Sequence, residues 1–134
     1  MALKYSVAVQ NAQMNQLEAT IGAAPLFRIY EGSEPANTAA ANTGALLVEI
    51  TCPSSWLTAA SSGFVSIDNG PYTGTATGTG TGGYYRIYDS GGATCHIQGK
   101  VTDTLGDGQL KLDSTSITSG DPITITACTF GAGN

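Results

Sequence analysis

Between Ser6 and Gly22 the apolar positions recur at helical spacing: Val7, Met14, Leu17 and Ile21 fall on one stripe, with Gln10 among them. Ser6 stands where an N-cap belongs and Gly22 where a helix stops, so the pattern predicts one helix within an arm of residues 1–22. The stripe is narrow and partly polar, which suits a helix lying along a sheet edge or against a partner subunit. After Pro25 the period drops to two and stays there. Runs at 26–30, 45–51, 64–68, 84–88, 95–101, 109–113 and 123–130 read as strands, each bounded by Gly, Pro, Asn or Asp. Short strands at this spacing predict a mainly β chain. Its form is an antiparallel β-sandwich or a jelly-roll-like barrel of about seven or eight strands over residues 26–130, preceded by the one N-terminal α-helix.

The connections carry their own signals. "DSGGAT" after Tyr88 reads as a tight hairpin turn, which pairs the 84–88 strand antiparallel with "CHIQGKV"; "LGDG" similarly joins that strand to "QLKLD". Residues 31–44, "EGSEPANTAAANTG", have neither period and a length expected of a crossover between sheets or an exposed loop. "GPYTGTATGTGTGG", residues 70–83, alternates Thr and Gly and reads as a flexible loop leading into a strand. At "CPSSWLTAASSG" Pro53 and Ser54 suggest a helical turn or corner whose Trp56 plugs one end of the core.

One phrase occurs twice: "LFRIYEGSEPA" from Leu26 and "YYRIYDSGGAT" from Tyr84. Side chains alternate along a strand, so Leu26, Arg28 and Tyr30 share one face while Phe27 and Ile29 share the other. Tyr84, Arg86 and Tyr88 oppose Tyr85 and Ile87 in the same way. If the two strands are neighbours, the arginines can stack on Tyr30 and Tyr88, with Glu31 and Asp89 as carboxylate partners at the strand ends. The functional alternative is a partner surface, or a glycan or carboxylate site, built from Arg28, Tyr30, Tyr84, Arg86 and Tyr88. The likeness stops after strand and turn, which favours two structurally equivalent strands over a duplicated unit.

Composition narrows the function. A length of 134 residues fits a single domain, 1–134. Only 11% of residues are charged, against about 25% in ordinary soluble domains, while Gly, Ala, Ser and Thr fill almost half the chain. A neutral, hydroxyl-rich surface suits faces covered by neighbours, which points to an assembly subunit and a homo-oligomer. A net charge of -5 with five scattered basic residues excludes nucleic acid as a direct partner. With no apolar run of signal-peptide or membrane-spanning length, synthesis in a cytoplasm and no membrane partner are expected.

The chemistry-bearing residues form no constellation. Cys52, Cys95 and Cys128 lack zinc spacing and a disulfide framework, so buried free thiols are expected. Cys95 and His96 would point to opposite faces of a strand, and His96 is the only histidine. Asp103, Asp107 and Asp113 do not match a calcium loop and read as turn residues; the Thr/Gly tract lacks the Lys-Ser/Thr of a phosphate cradle. The expectation is no catalytic residue, no cofactor, no metal site and no enzymatic activity.

The succession "SVAVQNAQMNQLEATIGAAPLFRIYEGSEPA", "LVEITCPSSW", "YYRIYDSGGATCHIQGKV" and "LKLDSTSITSGDPITITACTF" resembles a group of small virion-associated proteins of tailed bacteriophages over almost the whole chain. The resemblance implies a virion structural protein made in the host cytoplasm, whose partners are the major capsid protein or other virion proteins. Capsid decoration, or cementing, is the favoured role; a tail, baseplate or fibre component and a host-glycan adhesin are the alternatives. Assembly contacts are then expected from Lys4, Tyr5, the helix residues Met14, Leu17 and Ile21, and Tyr72.

Overall fold

The computed structural model describes residues 4–103, 105–106, 110–112, 114–125 and 128–131. Helix α1 spans Val7–Ile21, where the pattern puts it. Ser6 Oγ accepts the Val9 N–H at 3.3 Å, and Gly22, at φ 94°, ends the helix by donating its N–H to Glu18 O. Gln10, Met14 and Ile21 face inward, but Val7 overhangs the body and is 55% exposed. Gln10 is tolerated inside because its amide donates to Tyr5 O at 3.1 Å.

Ten strands follow among the described residues: β1 (Leu26–Glu31), β2 (Leu46–Thr51), β3 (Phe64–Ser66), β4 (Tyr72–Thr75), β5 (Gly80–Tyr88), β6 (Cys95–Asp103), β7 (Leu110–Leu112), β8 (Ser116–Ile117), β9 (Pro122–Ile125) and β10 (Thr129–Gly131). The main sheet has the order β2-β1-β5-β6-β7, with β8 on the first residues of β5; β10-β3 and β4-β9 are two-stranded. The chain is thus mainly β, with sheets that are antiparallel apart from the β6–β7 pair, and none closes into a barrel.

Three connections depart from the sequence reading. The Thr/Gly tract is not a loop throughout: Tyr72–Thr75 pairs with β9, and β5 already begins at Gly80. Glycine serves close approach here, since a Cβ on Gly74 would lie 2.7 Å from Ile50 Cγ1 and 3.1 Å from Glu49 O, so β4 can lie flat on β2 only without one. The run at 123–130 divides between two sheets, β9 on β4 and β10 on β3, because alternation continues while the pairing partner changes. The "LGDG" connection produces no hairpin: β7 lies parallel to β6, Val101 beside Leu110, and Leu110 and Leu112 are buried there. Asp103 turns the chain by accepting the Leu105 N–H, as expected of a turn aspartate; Asp107 and Asp113 lie outside the described residues.

One face of the main sheet, carrying Phe27, Ile29, Val48, Ile50 and Ile87, is covered by the two small sheets and α1, giving a sandwich-like core. Trp56 is 0% exposed and fills it as expected, with Nε1 donating to Gly22 O at 3.2 Å; the chain around it bends without a helical turn. The Tyr72 hydroxyl sits against Trp56 O and Asp68 O at 2.6 and 2.5 Å. Met14, Ile21 and Tyr72, expected as assembly contacts, therefore belong to the chain's own core, with Leu17 packed at its margin.

Candidate functional site

The two RIY strands are direct neighbours. β1 and β5 run antiparallel with Arg28 opposite Arg86, Tyr30 opposite Tyr84 and Leu26 opposite Tyr88. On the outer strands Glu49 lies opposite Arg28, and Gln98 opposite Arg86, so one row across the sheet reads Glu49, Arg28, Arg86, Gln98. Two cations side by side are unfavourable unless each finds its own partner. Arg28 Nε bonds Glu49 Oε2 at 2.6 Å, and its guanidinium lies 4.5 Å over the Tyr88 ring. Glu31 and Asp89, the expected carboxylates, are not these partners: Asp89 turns the hairpin by accepting the Ala93 N–H at 2.9 Å.

Arg86 is 2% exposed and its described hydrogen-bond acceptors are all neutral. Nη1 donates to Asn42 Oδ1 at 3.0 Å and Nη2 to Asn37 O and Gln98 Oε1 at 3.0 and 2.9 Å, while Nε has no partner. The residues that cover it form a strap over this face, running from Gly32 to Gly44, both at positive φ. Asn42 Nδ2 donates to the Tyr30 hydroxyl and Asn42 Oδ1 accepts from that of Tyr88, at 3.1 and 3.0 Å. The Tyr84 hydroxyl takes the Thr43 N–H and donates to Thr43 O, and Gln98 Nε2 donates to Pro35 O at 2.7 Å. Any side chain on Gly44 would strike Glu31 O, so the strap closes only with glycine there.

Tyr30, Tyr84, Arg86 and Tyr88 are consequently interior, with the Tyr30 and Tyr84 rings stacked at 5.2 Å; of the five residues read as a surface, only Arg28 reaches solvent appreciably. The face can meet a sugar or a carboxylate only with the strap lifted. Asn37, Asn42 and Thr43 went unrecognised in the sequence, because polar residues in a stretch without period show no direction; Gln98 sat in a legible strand, but alternation does not name the strand beside it.

Burial pushes the Tyr30 phenol up to about 12, with hydrogen bonding to Tyr88 adding to it against the opposing pull of Arg28. Burial acts on Tyr88 in the same sense, but hydrogen bonding with Arg86, Tyr30 and Asn42 and the Arg86 charge outweigh it and leave that phenol low. Burial also raises Cys52 and Cys128 to about 12. For Tyr30 and the two thiols the folded pKa exceeds the unfolded one. Their stabilisation is therefore complete below pH 9 and lost as pH rises toward 12. The lowered Tyr88 phenol works in the opposite sense, but only until pH passes its unfolded value near 10, so the urea midpoint followed by Trp56 fluorescence should fall above about pH 9 and most steeply above pH 10. A flat profile to pH 12 would contradict this burial.

Cys52 and Cys128 are free and buried, and Cys95 is free and half-buried. Cys95 Sγ faces Ile97 O at 3.4 Å, and burial raises its pKa although Arg86 opposes the shift. With a thiol reagent at neutral pH, slow labelling of Cys95 alone is expected on the native chain, the other two reacting only as it unfolds. Early modification of Cys52 or Cys128, read by mass spectrometry, would refute their placement.

Among the described residues no three His, Cys, Asp or Glu side chains come together to hold a metal ion, and no helix is long and apolar enough to cross a membrane. A cavity of about 500 Å³ opens between α1, β6 and β10. Compared with family models, curated proteins and solved structures, the chain matches none.

Proposed function

We propose that the chain is a non-enzymatic structural subunit of a bacteriophage virion, a decoration or cement protein bound to the outside of the assembled head. The supporting observation is its exterior: few charges, with the apolar side chains of Tyr5, Val7, Val9 and Phe64 exposed. Apolar side chains held in solvent gain about 25 cal/mol per Å² when a neighbour covers them, and modest contacts repeated over a symmetric shell are enough to stabilise it. Lys4 and Tyr5, which precede the helix, are exposed, as contacts with a neighbouring subunit require. A ligand that binds the assembled shell and not its dissociated subunits shifts assembly by mass action, so no chemistry is required of it.

Gel densitometry of purified particles tests the reading. Copies at or near one per capsid subunit, or a fixed fraction of that number, are expected. Tens of copies per particle would overturn decoration in favour of a tail or baseplate ring. Val7→Asp with Val9→Asp should release the chain from heads while leaving its fold intact, since both positions are exposed.

A further inference from the structure

We propose that the strap over Arg86 is a lid, and that the site it closes binds a small carboxylate, whose place the strap's own oxygens take in the closed chain. The charges on this face do not balance. The row Glu49, Arg28, Arg86, Gln98 sets two cations side by side with a single anion. That anion serves Arg28, whose Nε it meets at 2.6 Å. Arg86 is 2% exposed, and no carboxylate lies within ion-pairing distance of it among the described residues. Glu34, the only acid of the strap, bonds to none of its nitrogens. Neutral acceptors restore the hydrogen bonds that a guanidinium loses with its water, but they do not neutralise its charge, so the site is one anion short.

The strap's contacts outline the missing group. Asn42 Oδ1 accepts from Arg86 Nη1 and from the Tyr88 hydroxyl, each at 3.0 Å, and Asn37 O accepts from Nη2 at 3.0 Å. Two oxygens from different residues thus sit on the two terminal nitrogens of one planar fork, positions that a single carboxylate fills with both of its own. Nε, buried and without a partner, shows that the strap does not satisfy the whole guanidinium. Charge-assisted bonds to a carboxylate are roughly twice as strong as those to neutral oxygens. Gln98 Oε1 stays on Nη2 from β6, and the Tyr30 and Tyr88 hydroxyls, released from Asn42, become donors to the ligand.

Little besides these bonds holds the strap. Of residues 32–44 only Pro35 is buried, so the segment is fastened by hydrogen bonds and not by apolar area. Gly32 and Gly44, at φ 94° and 73°, bound it with backbone that turns freely. Its fastening centres on Asn42, which reaches Tyr30, Arg86 and Tyr88 at once. Strap and ligand compete for one guanidinium, so the observed affinity is the intrinsic one reduced by the fraction of chains with the strap lifted. Such a site requires nothing of the virion reading, and binding to the isolated chain tests it separately.

The probe is sodium acetate, compared with acetamide, which keeps the shape without the charge, and with sodium chloride at equal ionic strength. Acetate is expected to accelerate limited proteolysis within residues 32–44 by about threefold or more, saturably, since it binds only the lifted form; the two controls should leave the rate unchanged. Asn42→Ala, at an exposed position, should bind acetate about fivefold tighter or more, read from the shift of the Arg86 Nε–H resonance. Cleavage indifferent to acetate, equal acceleration by acetamide or chloride, or an Asn42→Ala chain that binds acetate no tighter overturns the proposal. The comparison of acetate with its controls uses the unsubstituted chain and decides the matter even if the variant fails to fold.

Discussion

Arg86→Ala is expected to cost roughly 3–5 kcal/mol of stability and to free the strap before the rest of the chain. The substitution leaves Asn37 O and the Gln98 amide oxygen inside without their donor and removes the hinge between the strap and β5. Each buried acceptor left unsatisfied costs about 1–3 kcal/mol, and their shared dependence on one guanidinium concentrates the loss. Arg86→Lys should recover less than half, because a single ammonium cannot reach the acceptors that the planar fork spans. Limited proteolysis is the discriminating measurement: cleavage within residues 32–44 should accelerate well below the unfolding temperature. A strap as resistant as in the unsubstituted chain would show that Arg86 does not hold it.

Trp56→Ala should be as costly, about 3–5 kcal/mol, or a fall in melting temperature of about 10–20 °C, but by a different route. Trp56 is fully buried, and its indole joins the helix end at Gly22 to the corner where Tyr72 meets Trp56 O. Truncation opens a cavity and orphans Gly22 O at once. Loosening is expected across the molecule, so exchange and proteolysis should accelerate everywhere and not within the strap alone. Trp56→Phe, which keeps most of the volume and loses the Nε1 bond, should cost about 1–2 kcal/mol. Calorimetry of the two variants separates the volume from the hydrogen bond; equal losses would assign everything to the bond.

The contrast between these residues follows what each side of the sheet contains. On the core side, burial is apolar and its loss scales with volume. On the strapped side, burial is polar: a guanidinium, tyrosine hydroxyls and asparagine amides satisfy one another, and Arg28 with Glu49 closes the margin toward solvent. An exposed pair of that kind contributes little, about 0–1 kcal/mol, so the strapped side rests on Arg86 and its neutral acceptors.

By itself the sequence determined what is local. Ser6 and Gly22 delimit the helix because a cap needs only its neighbours; Phe27, Ile29 and Ile87 face inward because alternation assigns a side. The hairpin from Tyr88 to Cys95 was legible for the same reason, in a turn of Gly, Asp and Ser. The equivalence of the two RIY strands could be read as well, though not that they pair with each other. That pairing, the parallel entry of β7, and the division of residues 122–131 between two sheets were decided by the tertiary structure, since period two fixes the side a residue faces and not which strand lies beside it. The strap is the clearest case: residues 32–44 have no period, and their positions are set by hydrogen bonds to side chains remote in sequence, on Tyr84, Arg86, Tyr88 and Gln98. Polar burial of that kind is directional and long-range, and it acquires a position only once the sheet beneath it has formed.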